Sequence, residues 1–133
     1  MFWVFPACWL LYADMKAVKP DSMLITHTPN PYFADVVDVL RLNDLDGESD
    51  NVLDIMTART QIAQIGCKHW LIDTDNDLMI NKSRWRDYIT LQPKLGIPDT
   101  YYATHIAASG EAFDAAEYDL LRQVFAQYRQ TIC

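Results

Sequence analysis

The sequence predicts an α+β fold, a small mixed or antiparallel sheet packed against about four helices, from three features. The first is His69–Asn81, HWLIDTDNDLMIN, where the apolar runs Trp70–Ile72 and Leu78–Ile80 flank five turn-favouring residues, the pattern of a β-hairpin. The second is the recurrence of apolar residues at helical spacing on both sides of it, which supplies the layer a lone hairpin needs. The third is size. A chain of 133 residues buries roughly two thirds of its unfolded surface and fits one domain over 1–133. Half the residues are apolar and only 4 are glycine, which excludes a disordered chain or a repetitive fibre.

In chain order, residues 2–12, FWVFPACWLLY, are apolar at nearly every position and rich in β-favouring types, as in a strand covered on both faces. Pro6 would bulge or break it, or place it at an edge. The run is short for a bilayer span and no basic segment precedes it as in a signal peptide, so no membrane partner is expected. A second strand follows over 23–28. Asn30-Pro31 then starts a helix over 31–42, because Asn caps free amides and Pro fits the first helical position. After the polar loop Asn43–Ser49, Ser49 or Asp50 caps a helix over 50–65 that carries Val52, Met56, Ile62 and Ile65 and stops at Gly66.

The hairpin supplies strands over 68–72 and 78–81. Ser83 caps a short helix over 84–91, closed by Pro93. Residues 101–107 suit either a strand or a helix, and their β-branched and aromatic content favours the strand. The last helix, 110–129, shows one apolar stripe through Phe113, Ala116, Leu120, Leu121, Val124, Phe125 and Tyr128.

Charge bounds the function. The net charge is -7, which opposes attraction to nucleic-acid phosphates and anionic lipid. It is concentrated: residues 35–54 hold seven acids (Asp35, Asp38, Asp44, Asp46, Glu48, Asp50, Asp54) against Arg41 alone. Three widely spaced cysteines, Cys8, Cys67 and Cys133, do not form the even, dense set of a secreted disulfide scaffold. A reducing, cytoplasmic setting is expected.

No constellation completes a catalytic or metal site. Asp73, Asp75 and Asp77 match the opening of a calcium loop, but Leu78 stands where the turn-making Gly belongs and Arg84 where the bidentate Glu belongs. Asp44, Asp46, Glu48 and Asp50 around Gly47 have the spacing of an ordinary solvated loop. Cys67 and His69 are one pair where structural zinc wants four ligands. A Cys–His nucleophile drawn from Cys8 or Cys67 with His27 or His105 has nothing in the sequence to bring it together, and no phosphate-binding glycine motif or nucleophile elbow is present. No catalytic residue, metal or cofactor is therefore assigned.

The reading these features support is a non-catalytic acidic protein-binding domain. Its partner would be a basic protein, with the domain acting as an inhibitor of a nucleic-acid-handling enzyme in the manner of an immunity protein, antitoxin or phage-encoded blocker. Asp44, Asp46, Glu48, Asp50 and Asp54 are the expected contact residues, joined by Trp85, placed between two arginines on the short helix. Two alternatives stand beside it: a small-molecule enzyme or binder with an aromatic, His-lined pocket, and a structural domain that pairs with a copy of itself.

Overall fold

Ala7, Leu10, Leu11, Ala13, Met15 and Ala17 are strong helix formers, and Val4–Val18 is an α-helix, α1. The structure, a computed structural model, describes residues 4–27, 29–42, 49–66, 70–74, 79–100 and 102–132, with side chains from Pro6 onward. Helix α1 corrects the strand expected over 2–12. Pro6 lies in the first turn, where its missing N–H breaks no intrahelical bond. The helix also sets Tyr12 and Lys16, four residues apart, on one face. Both donate to Asp38 Oδ1, at 3.0 and 3.2 Å, while the Leu24 amide donates to Oδ2 at 2.8 Å. Burial pushes the Asp38 carboxyl up, but these three donors outweigh it and hold the group below its ordinary value.

After strand β1 (Ile25–Thr26) the Asn30 cap forms as expected, its side chain accepting from the Tyr32 amide at 3.0 Å. The helix it starts is only a 3-10 turn, Pro31–Val36; Val37 is extended, and strand β2 (Val39–Arg41) follows. That corrects the helix expected over 31–42. Val37 and Val39 are β-branched and stiff, and with them extended the Leu24 carbonyl accepts from both the Asp38 and Val39 amides.

Helix α2 (Val52–Gly66) appears where expected and buries Val52, Met56, Thr60 and Ala63. Ile62 and Ile65 fall on the outer side and are exposed. Strand β3 (Leu71–Asp73) then pairs parallel with β2, Leu40 opposite Ile72 and Arg41 opposite Asp73, and β2 pairs parallel with β1. The α+β class holds, and the sheet is parallel throughout, in the order β1-β2-β3, rather than mixed or antiparallel.

Among the described residues the second arm of the expected hairpin is not a strand: Met79–Asn81 are irregular, while residues 75–77 of its turn and Leu78 lie outside the described residues. Asn81 instead caps helix α3 (Lys82–Leu95), its side chain accepting from the Arg84 amide at 2.9 Å. The role expected of Ser83 passes to Asn81, and the helix runs two residues beyond Pro93. The neighbour of β3 on its outer side is Ile97, bridged parallel to Asp73, with the Ile97 amide donating to the Ile72 carbonyl at 2.7 Å.

Gly96 makes that approach geometrically feasible. A Cβ there would lie 2.7 Å from the Ile72 Cβ and closer still to its carbonyl oxygen. The strand expected over 101–107 reduces to a single antiparallel bridge, His105 with Ala112, closed by a turn in which Gly110 has φ 70°, a conformation glycine adopts without steric cost.

Helix α4 (Ala115–Ile132) starts later than the helix expected over 110–129, because Ala112 bridges to His105 and Asp114 caps the helix, and it begins with a reciprocal cap. Asp114 accepts from the Ala116 amide at 2.8 Å, while Glu117 accepts from the Asp114 amide at 3.0 Å. Glu117 is fully buried and also receives Arg86 Nε at 2.8 Å and Lys82 Nζ at 3.1 Å, both from α3. Its burial raises the carboxyl, and the Asp114 amide, Arg86 and Lys82 more than reverse that, leaving it below its ordinary value.

The core gathers Val36, Leu40, Val52, Met56, Ile72, Tyr88, Ile89 and Ile106 from the 3-10 turn, the strands, α2, α3 and the segment before α4. Gly96→Ala is expected to cost about 1–3 kcal/mol through overpacking, measured by urea denaturation. An unaltered midpoint would show that the Ile97 segment does not press on β3.

Candidate functional site

The link from β2 to β3 is α2 and the link from β3 to the Ile97 segment is α3, and the two helices pack against each other. Their outward sides leave a groove. At one end a hollow of about 310 Å³ is lined by Asp50, Asn51, Leu53, Asp54, Arg84 and Asp87. Through Leu53 and Asp87 it continues into a second, of about 340 Å³, that adds Thr90, Leu91 and Lys94. Arg84, Asp87, Leu91 and Lys94 recur at three- and four-residue spacing, so one side of α3 supplies that whole wall.

The chemistry is graded along the groove. Three carboxylates, Asp50, Asp54 and Asp87, surround one guanidinium at the first end, the half-buried Leu53 and Leu91 form an apolar floor, and Lys94 marks the far end. Arg84 is committed locally: it donates to the Ser49 carbonyl and meets Asp50 at 3.4 Å. Asp54 and Asp87 are exposed, ready for a charge brought from outside.

Of the contact residues expected from sequence, Asp50 and Asp54 come together in this groove. Asp44, Asp46 and Glu48 lie outside the described residues. Trp85 is corrected: it is 3% exposed and stacks at a tilt on Phe113, ring centroids 4.6 Å apart. Its neighbour Arg84 faces the groove instead. Asp87 carries no signal in the sequence beyond its helical offset from Arg84.

The aromatic and histidine-lined hollow of the first alternative also exists, between Trp85, Tyr102, His105 and Ile106, but its volume is about 10 Å³, room for no more than a single water. His27 lines a different hollow, and His69 lies outside the described residues, as do Cys67 and Cys133. Among the described residues no group of three His, Cys, Asp or Glu side chains is placed to hold a metal ion, and no helix is long and apolar enough to cross a membrane.

A second polar cluster sits where the parallel strands end. Arg41 closes β2, Asp73 closes β3 opposite it, and Asp99 follows Ile97 by two residues. The Asp99 amide donates to the buried Gln92 Oε1 at 3.3 Å, and Gln92 Nε2 is buried with no hydrogen-bond partner among the described residues. Burial, then the like charge of Asp73, push the Asp99 carboxyl above its ordinary value, against the Thr100 amide and Arg41. No protein-family model, curated protein or solved structure matches this chain.

A raised carboxyl is one whose ionised form the fold disfavours, so its contribution to stability is full below the ordinary value and is lost as pH rises through the raised one. Asp99→Asn, which removes that charge, is expected to raise the melting temperature at neutral pH. The gain should vanish in acid as the wild-type carboxyl takes up its proton. Equal melting temperatures at neutral pH would show that Asp99 is not held against its charge.

Proposed function

We propose that the chain is a non-catalytic protein-binding domain that receives a basic segment of another protein along the α2–α3 groove. The observation that carries this is the grading of the groove: exposed carboxylates at one end beside an apolar floor. A segment with a cationic end and apolar side chains spaced along it would meet both at once, and the net charge of -7 would steer it in. The partner class that fits is a cationic protein, such as an enzyme that handles nucleic acid, and a blocker of such an enzyme is the role this supports. Charge sets the encounter, and burial at Leu53 and Leu91 sets how long the complex lasts.

The test is fluorescence anisotropy of a labelled amphipathic Leu/Lys peptide at low and high salt. Reversal at Asp54 or Asp87 to Lys is expected to weaken binding roughly two- to five-fold each, with a further loss as salt rises. Affinity indifferent to both charge reversal and salt would remove the proposal.

A second reading, pairing with a copy of the same chain, is favoured by α1. Trp9, Leu10 and Leu11 are 47%, 67% and 56% exposed on one helix, and nearby along the chain Ile25 on the edge strand β1 is 54% exposed, a concentration of apolar surface that marks interaction sites. Sedimentation velocity is expected to show concentration-dependent association that Leu10→Gln with Leu11→Gln abolishes. A wild-type monomer at high concentration would sink this reading.

A further inference from the structure

The α2–α3 groove has two charged ends, and a cationic segment answers only one of them. Asp54 lies in the first turn of α2 and Arg84 in the first turn of α3, and both line the hollow of about 310 Å³. The two helices therefore start side by side and run in the same direction away from the acidic end. Lys94 stands in the last turn of α3 and lines the hollow of about 340 Å³. It is exposed and has no ion pair among the described residues. Arg84 and Asp50 meet each other, which leaves Asp54 and Asp87 as the acids to be answered from outside and Lys94 as the base.

The spacing of these groups selects a shape. Asp87 and Lys94 are seven residues apart on α3, two turns or about 10 Å of helix rise. Leu91 falls between them, and Leu53 joins it from α2. A helix laid along the groove repeats that rise, because its residues i, i+3, i+4 and i+7 share one face. An extended segment fits worse. Its side chains alternate between two faces, and its backbone amides and carbonyls would find no partners on helical walls, whose own backbone groups are already paired.

Direction follows from the helix dipoles. The acidic end of the groove holds the positive, N-terminal ends of α2 and α3, so a helix lying antiparallel to both brings its negative, C-terminal end there. Its last turn then meets Asp54 and Asp87, and its first turn meets Lys94. An acid in the first turn and a base in the last are also what a helix favours in isolation, so the segment that folds best alone is the one that fits.

We propose that the groove receives an amphipathic helix antiparallel to α2 and α3, with Glu or Asp at i against Lys94, leucine-like side chains at i+3 and i+4 over Leu53 and Leu91, and Lys or Arg at i+7 against Asp54 and Asp87. This rests on the groove being the protein-binding surface, and adds the partner's secondary structure, its second charge and its direction.

The probes are two lactam-locked helical peptides with capped ends, one with Glu, Leu, Leu and Lys at i, i+3, i+4 and i+7 and one with Glu and Lys exchanged, followed by fluorescence anisotropy. The first is expected to bind about two- to five-fold more tightly, the scale of exposed ion pairs. Lys94→Glu should weaken the first peptide by a similar factor and strengthen a Leu/Lys peptide that carries no acid. A nitroxide at the N-terminus of the first peptide should broaden the amide signals of residues 91–94 of the isotopically labelled chain more than those of residues 51–54. Equal or reversed affinity of the two peptides, an equal effect of Lys94→Glu on acid-bearing and acid-free peptides, or broadening strongest at residues 51–54 overturns this inference while the groove reading stands. Binding by none of the three peptides removes both.

Discussion

The parallel ladder between Val39–Arg41 and Leu71–Asp73 determines where the rest of the chain goes. Antiparallel neighbours can be joined by a tight turn, but parallel ones need a crossover of a dozen or more residues, and α2 is that crossover. The same requirement repeats between β3 and Ile97, with α3 as the second crossover. Since strand order advances in one direction, from β1 through β3 to Ile97, crossovers of one hand bring consecutive helices to the same side, and α2 and α3 meet. The groove between them is a by-product of strand direction. So is the gathering of Arg41, Asp73 and Asp99 at one edge.

The two outer helices are fastened by buried or half-buried carboxylates. Asp38 takes Tyr12 and Lys16 from α1, and Glu117 takes Arg86 and Lys82 from α3 into the first turn of α4. A charge taken out of water is costly unless nearly all its acceptor sites are filled. Each of these carboxylates receives a backbone amide as well as side-chain donors, at least one of them cationic, and each stays below its ordinary value. Asp99 is the contrast: its shift runs the other way, led by burial and then by Asp73. Two carboxylates are bound into the framework, and the third has its ionised form disfavoured where the strands end.

Elements whose signal is local were legible in the sequence. The Asn30 cap, the extent of α2 from Val52 and the long last helix rest on capping chemistry and apolar spacing, which depend on near neighbours. Elements decided at long range were not. Residues 4–18 carry aromatic and β-branched types on a background of alanine and leucine, and the Tyr12 and Lys16 contacts to Asp38 favour the helix from more than twenty residues away. The second arm of the expected hairpin lost to Ile97, which no turn signal links to β3. Pattern also misplaced single side chains. Trp85 was expected as a surface contact because arginines flank it, and nothing in the residue type of Glu117 signals burial. The fold buries both, since Phe113 covers one and three donors from α3 and the Asp114 backbone satisfy the other. Of the candidate groove, Asp50 and Asp54 could be read from the acidic run, whereas Asp87 and the floor needed the packing of α2 on α3.

The groove would respond to the molecule's field in a definite way. A cationic segment approaching Asp54 and Asp87 moves down the potential of a chain with net charge -7, so long-range attraction assists it and added salt takes that help away. The apolar contacts at Leu53 and Leu91 are not screened, so salt acts on the encounter more than on the complex once formed.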